Sequence, residues 1–161
     1  MILSRALPTL AVTEALAAAV ARAARPGDSI LLEGPLGAGK TAFARAFLRA
    51  AAADPTLEVP SPSFTLVQSY ATGLGLVHHF DLWRLDGPAA LAELGWDDAL
   101  TDIVLVEWPD RLGPLRPADA LSIALVPTDA PIAVDTPVTA GGDAARTALL
   151  SGWPGRLGAL A

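Results

Sequence analysis

Ser29-Ile30-Leu31-Leu32-Glu33-Gly34-Pro35-Leu36-Gly37-Ala38-Gly39-Lys40-Thr41 decides the fold of this 161-residue chain. Residues 29–32 are continuous in apolar character, as a strand buried on both faces tends to be. The next eight residues match G-x-x-x-x-G-K-[ST] at every fixed position. Glycines let the backbone curl so that successive N–H groups, those of Gly37, Ala38 and Gly39 among them, point at phosphate oxygens. The helix expected from about Gly39 to Ala52 adds the positive end of its dipole. In such a loop Lys40 reaches the β- and γ-phosphates as a point charge, and the Thr41 hydroxyl ligates magnesium. Of eleven basic residues ten are arginine, and the single lysine stands at this position. A compact ammonium suits phosphate oxygens there better than a planar fork.

Outward from the loop, the pattern alternates helix and strand. A helix is expected to begin near Thr13, with Arg22 and Arg25 towards its end and Pro26-Gly27 to stop it. Phe43 and Phe47 lie four apart on one face of the helix after the loop, opposite Arg45 and Arg49. Pro60 and Pro62 mark a loop. Residues 64–70 and 76–83 read as the strands of a hairpin turning at Thr72-Gly73-Leu74-Gly75. A short helix is expected over Pro88–Leu94, stopped by Gly95, then a buried strand over residues 103–106 that ends on Glu107. Further strands are expected at 121–126 and 132–138, and a short helical piece at 143–150. The expectation is one α/β domain over residues 1–150 and a poorly ordered tail over 151–161. Its fold is of P-loop NTPase type, a mostly parallel sheet flanked by helices, with antiparallel hairpin additions.

Composition narrows the function classes. Apolar residues make up 52% and charged residues 17%, which excludes disorder. The longest alanine-rich stretch, residues 15–24, is broken by Arg22 and falls short of the roughly 20 residues a membrane span needs. The N-terminus has only Arg5 before an apolar stretch interrupted by Pro8 and Glu14, unlike an export signal. A cytoplasmic, non-membrane protein is expected. With no cysteine, disulfides and thiolate chemistry are excluded. The net charge of −6 argues against a chain built mainly to grip nucleic-acid backbones. Ten acidic residues and one base, Arg84, lie between Asp54 and Asp110, which fits either a solvated acidic face or carboxylates serving magnesium and a basic partner.

A P-loop protein needs a second acidic group at the end of a neighbouring strand. Glu107 supplies it, the plainer reading being an exposed strand end. In His78-His79-Phe80-Asp81-Leu82-Trp83-Arg84, Asp81 is either half of a surface ion pair with Arg84 or a group that orients water near the metal. The two histidines read as structural, since no third ligand stands at metal spacing. Ser61, Ser63 and Thr65 form a hydroxyl cluster where P-loop switches sense a γ-phosphate. The chain has no asparagine, and its lone lysine is in the loop, so an N-K-x-D guanine-reading motif is excluded and ATP is favoured.

The series GPLGAGKT, SPSFTLV, HHFDLWRL, ELGWDDAL and VLVEWPDRLGPL, in this order and spacing, resembles the bacterial TsaE (YjeE) family over about residues 13–121. That family is the small ATPase of tRNA threonylcarbamoyladenosine biosynthesis. The resemblance implies ATP and Mg²⁺ as cofactors, with Lys40 and Thr41 on phosphate and metal and Glu107 as the metal carboxylate. It implies a role for Asp81 in ATP turnover, a site place for Trp108 beside the glutamate, and an approach of residues 10–13, Leu10 and Thr13 included, to the adenine. It implies work with the TsaD–TsaB pair, which threonylcarbamoylates the adenosine beside the anticodon, and only indirect contact with tRNA. Three positions depart from the family pattern. Pro35 stands in place of an acidic residue, Ser63 in place of Thr, and Trp83 in place of Tyr, and none removes a phosphate or metal ligand. Outside the resemblance, a P-loop kinase of a small metabolite and a non-catalytic ATP-dependent binding module remain open.

Overall fold

The computed structural model describes residues 1–128 and 145–161. A seven-stranded sheet is built from β1 (Ile2–Leu7), β2 (Ser29–Glu33), β3 (Val67–Thr72), β4 (Gly75–Asp81), β5 (Ile103–Glu107), β6 (Leu121–Pro127) and β7 (Arg146–Ser151), in the order β1-β7-β6-β2-β5-β4-β3. The pairs β2–β5, β2–β6 and β4–β5 are parallel, whereas β1–β7, β6–β7 and β3–β4 are antiparallel. The sheet is therefore evenly mixed, which corrects the expectation of a mostly parallel one. Only its centre is parallel, and antiparallel pairs close both flanks.

The centre follows from composition. Every residue of β5 is buried, and so are Ile30, Leu31 and Leu32 of β2, because helices or turns cover both faces. Helices α1 (Leu10–Ala23) and α2 (Lys40–Ala52) pack on the face that carries Ile30, Leu32, Val77, Ile103 and Leu105. On the other face Phe80, Val104 and Val106 meet Leu91 of the 3-10 turn Pro88–Leu94 and Trp96 of the short helix α3 (Trp96–Ala99). Phe80 meets the Trp96 ring edge-on at 5.1 Å between centroids.

Several elements differ from the sequence reading, each for a local reason. Helix α1 starts at Leu10 because Thr9 caps it, its hydroxyl accepting from Val12 N at 3.3 Å. Ile2–Leu7 forms an edge strand that the sequence pattern did not announce. The helical piece expected at 143–150 is overturned over its described part. Arg146–Ser151 is a strand paired on both sides, with Ala148 and Leu150 buried, so sheet pairing overrides the helix preference of Ala and Leu. The first hairpin strand starts at Val67, with Phe64 left exposed in a turn. The strand expected at 132–138 lies outside the described residues. The tail expected to be poorly ordered instead buries Trp153, Leu157 and Leu160 in the core shared with α1.

Candidate functional site

Strands β2, β4 and β5 run parallel, so their carboxyl ends share one edge of the sheet, where open α/β folds hold ligands. The glycine loop leaves β2 there. Gly34 has φ of 146°, and a Cβ on it would stand 2.7 Å from the Leu125 carbonyl oxygen of β6. Only glycine lets the loop lie this close to the neighbouring strand. Gly37 and Gly39 also take positive φ, at 79° and 101°. From the other flank, Arg146 of β7 reaches across to donate to the Gly37 carbonyl at 3.4 Å.

Lys40, 4% exposed, folds back on its own loop. Its Nζ donates to the carbonyls of Gly34 at 2.7 Å and Pro35 at 2.8 Å, and lies 3.9 Å above the Trp108 ring. Burial pushes its pKa below the usual lysine value, against the opposing pull of Glu107 and Asp81. Trp108 holds a left-handed backbone, φ 58° and ψ 54°, a costly conformation for a bulky residue and of the kind found at functional sites. Its ring packs on Trp83 at 4.3 Å, so two tryptophans wall one side of the cleft.

The carboxylates are fixed by hydrogen bonds. Thr41 Oγ1 donates to Glu107 Oε1 at 2.8 Å, and His79 Nε2 lies 2.7 Å from Glu107 Oε2. Glu107 is 2% exposed, so the reading as an exposed strand end is excluded. Asp81 stands opposite Glu107 in the β4–β5 register. It accepts from Ser61 Oγ at 2.7 Å and from the Trp83 backbone N–H at 3.1 Å. Arg84 makes no pair with Asp81; its guanidinium lies 4.6 Å over the Phe64 ring.

A cleft of about 350 Å³ brings together Gly37, Gly39, Lys40, Thr41, Asp81, Glu107 and Trp108 of the residues singled out in the sequence, with Ser61 and Ser63 from the hydroxyl loop. Others stand elsewhere. Thr65 is exposed and does not line the cleft. Ala38 is buried, with its N–H donating to the Pro35 carbonyl at 3.0 Å. Thr13 is buried in α1 and donates to the Thr9 carbonyl at 3.4 Å. Leu10 lines a second cleft, with Arg45 and Arg49, that meets the first at Ala42. Those two arginines hold the chain leading to Ser61, donating to Val59 O at 3.3 Å and Leu57 O at 2.9 Å. His79 was missed as a site residue, although β alternation sets it on the same side of β4 as Asp81.

A hydroxyl and two carboxylates supply hard oxygen donors, the set magnesium prefers, and the cleft leaves room for phosphate and water to complete its shell. Among the described residues no helix is long and apolar enough to cross a membrane.

Comparison with known proteins agrees with this geometry. The family model for "Threonylcarbamoyl adenosine biosynthesis protein TsaE" matches residues 7–131. The tRNA threonylcarbamoyladenosine biosynthesis protein TsaE of Rickettsia felis is 39% identical over 99 residues, 61% of this chain and 57% of that protein. The chain thus spans little more than half the length of that relative. The TsaE of Bacillus subtilis is 36% identical over 115 residues, 70% of each chain. The crystal structure of Bacillus subtilis YdiB superposes with a TM-score of 0.74 at 27% identity, covering 99% of this chain and 91% of that one. The mixed sheet, the glycine loop after β2 and the matched residues agree, and the chain belongs to the TsaE family of P-loop proteins.

Proposed function

We propose that the protein binds ATP with magnesium at the carboxyl ends of β2, β4 and β5 and hydrolyses it in support of tRNA threonylcarbamoylation. The observation that carries this reading is the Thr41–Glu107 hydrogen bond of 2.8 Å. It couples the loop hydroxyl to the carboxylate of the neighbouring strand, the pair a P-loop protein uses at its cation. By donating its proton to Glu107, Thr41 keeps its oxygen lone pairs free for a metal. Magnesium, when bound, would be held by Thr41 and Glu107 and would offset charge developing on the β- and γ-phosphates.

The chain's own groups do the rest. Lys40 exchanges the Gly34 and Pro35 carbonyls for phosphate oxygens, a swap of acceptors that also relieves its depressed basicity. The N–H groups of Gly37 and Gly39 face the phosphates. Asp81, held by Ser61 and the Trp83 amide, orients a water for in-line attack. Of the hydroxyl cluster, Ser61 and Ser63, which line the cleft, take the γ-phosphate-sensing place, and Thr65 does not. Leu10, across Ala42 from the loop, borders the space for the base, while Thr13 serves the helix start.

Family membership supports the purpose proposed here: the ATP cycle serves the TsaD–TsaB pair in the cytoplasm, and the partners hold the tRNA. The test is ADP formation by the purified protein with and without TsaD and TsaB. Slow phosphate release alone, raised by the partners and needing no small-molecule acceptor, is expected. Phosphate transfer to a metabolite would identify a kinase, and no ADP in either condition would reduce the protein to a binding module.

A further inference from the structure

His79 is among the most enclosed polar groups of the described structure, with no exposed surface. Its Nε2 lies 2.7 Å from Glu107 Oε2, and its Nδ1 is buried with no hydrogen-bond partner. Leaving a buried N–H unpaired costs about 1–3 kcal/mol, so the ring keeps its proton on Nε2, where it meets the carboxylate. His79 thus donates from Nε2 to Glu107. The other carboxylate oxygen, Oε1, is already engaged by Thr41.

A glutamate reaching a cation has one more rotatable bond than an aspartate, and a longer arm places its oxygens less sharply unless something holds it. Here both oxygens are held, one by the loop and one by β4. Asp81 lies two residues beyond His79 and opposite Glu107 in register, so one strand carries both the tether and the second carboxylate. We infer that His79 is a positioning residue, fixing the Glu107 carboxylate in the orientation that receives the cation of a bound nucleotide. Partners of this kind behind a metal ligand typically change metal affinity 10–100-fold when removed. The inference rests on the ATP–magnesium reading above.

The test is Mn²⁺ binding to the ADP complex, followed by electron paramagnetic resonance, alongside calorimetric ADP binding in EDTA. His79→Gln places an amide N–H where Nε2 stands, whereas His79→Asn stops short at the Nδ1 position. The expected result is that H79N and His79→Leu lower Mn²⁺ affinity roughly 10–100-fold. Metal-free ADP binding should stay within about twofold, and H79Q should recover most of the loss. In a Glu107→Gln background, H79N should add nothing further, the mark of an effect that passes through the carboxylate. Should H79L fail to fold, the H79Q–H79N pair still decides. Unchanged Mn²⁺ affinity in folded H79N, or equal loss in H79Q and H79N, would overturn the role of His79 alone. Wild-type protein that bound neither ADP nor Mn²⁺ would instead overturn the nucleotide reading.

Discussion

The two ends of the same parallel strands treat charge in opposite ways. At the amino ends, Asp28 before β2 receives the Arg156 guanidinium on both oxygens, at 2.7 and 2.8 Å, and Arg156 also covers the Trp153 ring at 4.1 Å. Asp102 before β5 lies 2.9 Å from His78, whose other ring nitrogen lies 2.7 Å from Ser69 Oγ. At the carboxyl ends, Lys40 rests on two carbonyls and makes no ion pair among the described residues. Glu107 and Asp81, both nearly buried, are held by Thr41, His79, Ser61 and an amide. At one end Arg156 and Asp28 match charge with charge. The other holds two carboxylates by hydrogen bonds without an Arg or Lys ion pair among the described residues, which leaves their field directed at whatever enters the cleft. The adjacent histidines, His78 and His79, reach carboxylates at opposite ends, Asp102 at one and Glu107 at the other.

This contrast predicts that the ends fail in different measurements. Lys40→Ala should weaken ATP binding by roughly 100-fold or more in calorimetry, since a charged hydrogen-bonded contact is worth about 2–5 kcal/mol. The same change should leave urea stability equal or higher, because it removes a buried cation that has no carboxylate partner. Arg156→Met should do the reverse. Losing a bidentate pair that is mostly covered costs about 2 kcal/mol, between the exposed and buried extremes, and ATP affinity should not move. A stability loss in Lys40→Ala as large as in Arg156→Met would erase the distinction.

The sequence made the functional end readable and the flanks much less so. Residues 29–41 carry a strand, a loop and a helix start whose residue types admit little else, and 103–107 combine four apolar residues with one carboxylate. Those patterns depend on local geometry, which sequence spacing encodes. The flanks depend on partners far along the chain: Ala148 and Leu150 sit in a strand only because β1 and β6 bracket them. Helix preference pointed the other way. Thr65 lies outside the cleft for a similar reason. It shares its residue type with Ser61 and Ser63, but which hydroxyls of a proline-bounded loop turn inward is set by Arg45 and Arg49 gripping the chain before it. His79 was hidden because its partner, Glu107, lies 28 residues on, and only the β4–β5 register makes them neighbours.

The smallest expected effect sharpens the comparison through pH. Burial lowers the Lys40 pKa from its ordinary 10.5 in the folded protein, so between the lowered value and 10.5 the unfolded chain holds a proton that the folded one has released. Stability rises with pH wherever the unfolded state binds more protons. The wild-type protein should therefore gain stability across that window relative to Lys40→Met, whose difference from wild type should be largest below the window and shrink within it. Arg156 gives no such signal, because its pairing with Asp28 raises a pKa that already lies above the range where proteins stay folded. Paired urea titrations at stepped pH read the difference directly. Parallel curves for wild type and Lys40→Met would mean that the ammonium is not held at a cost in the free protein. The carboxyl end would then differ from the amino end in arrangement but not in energy.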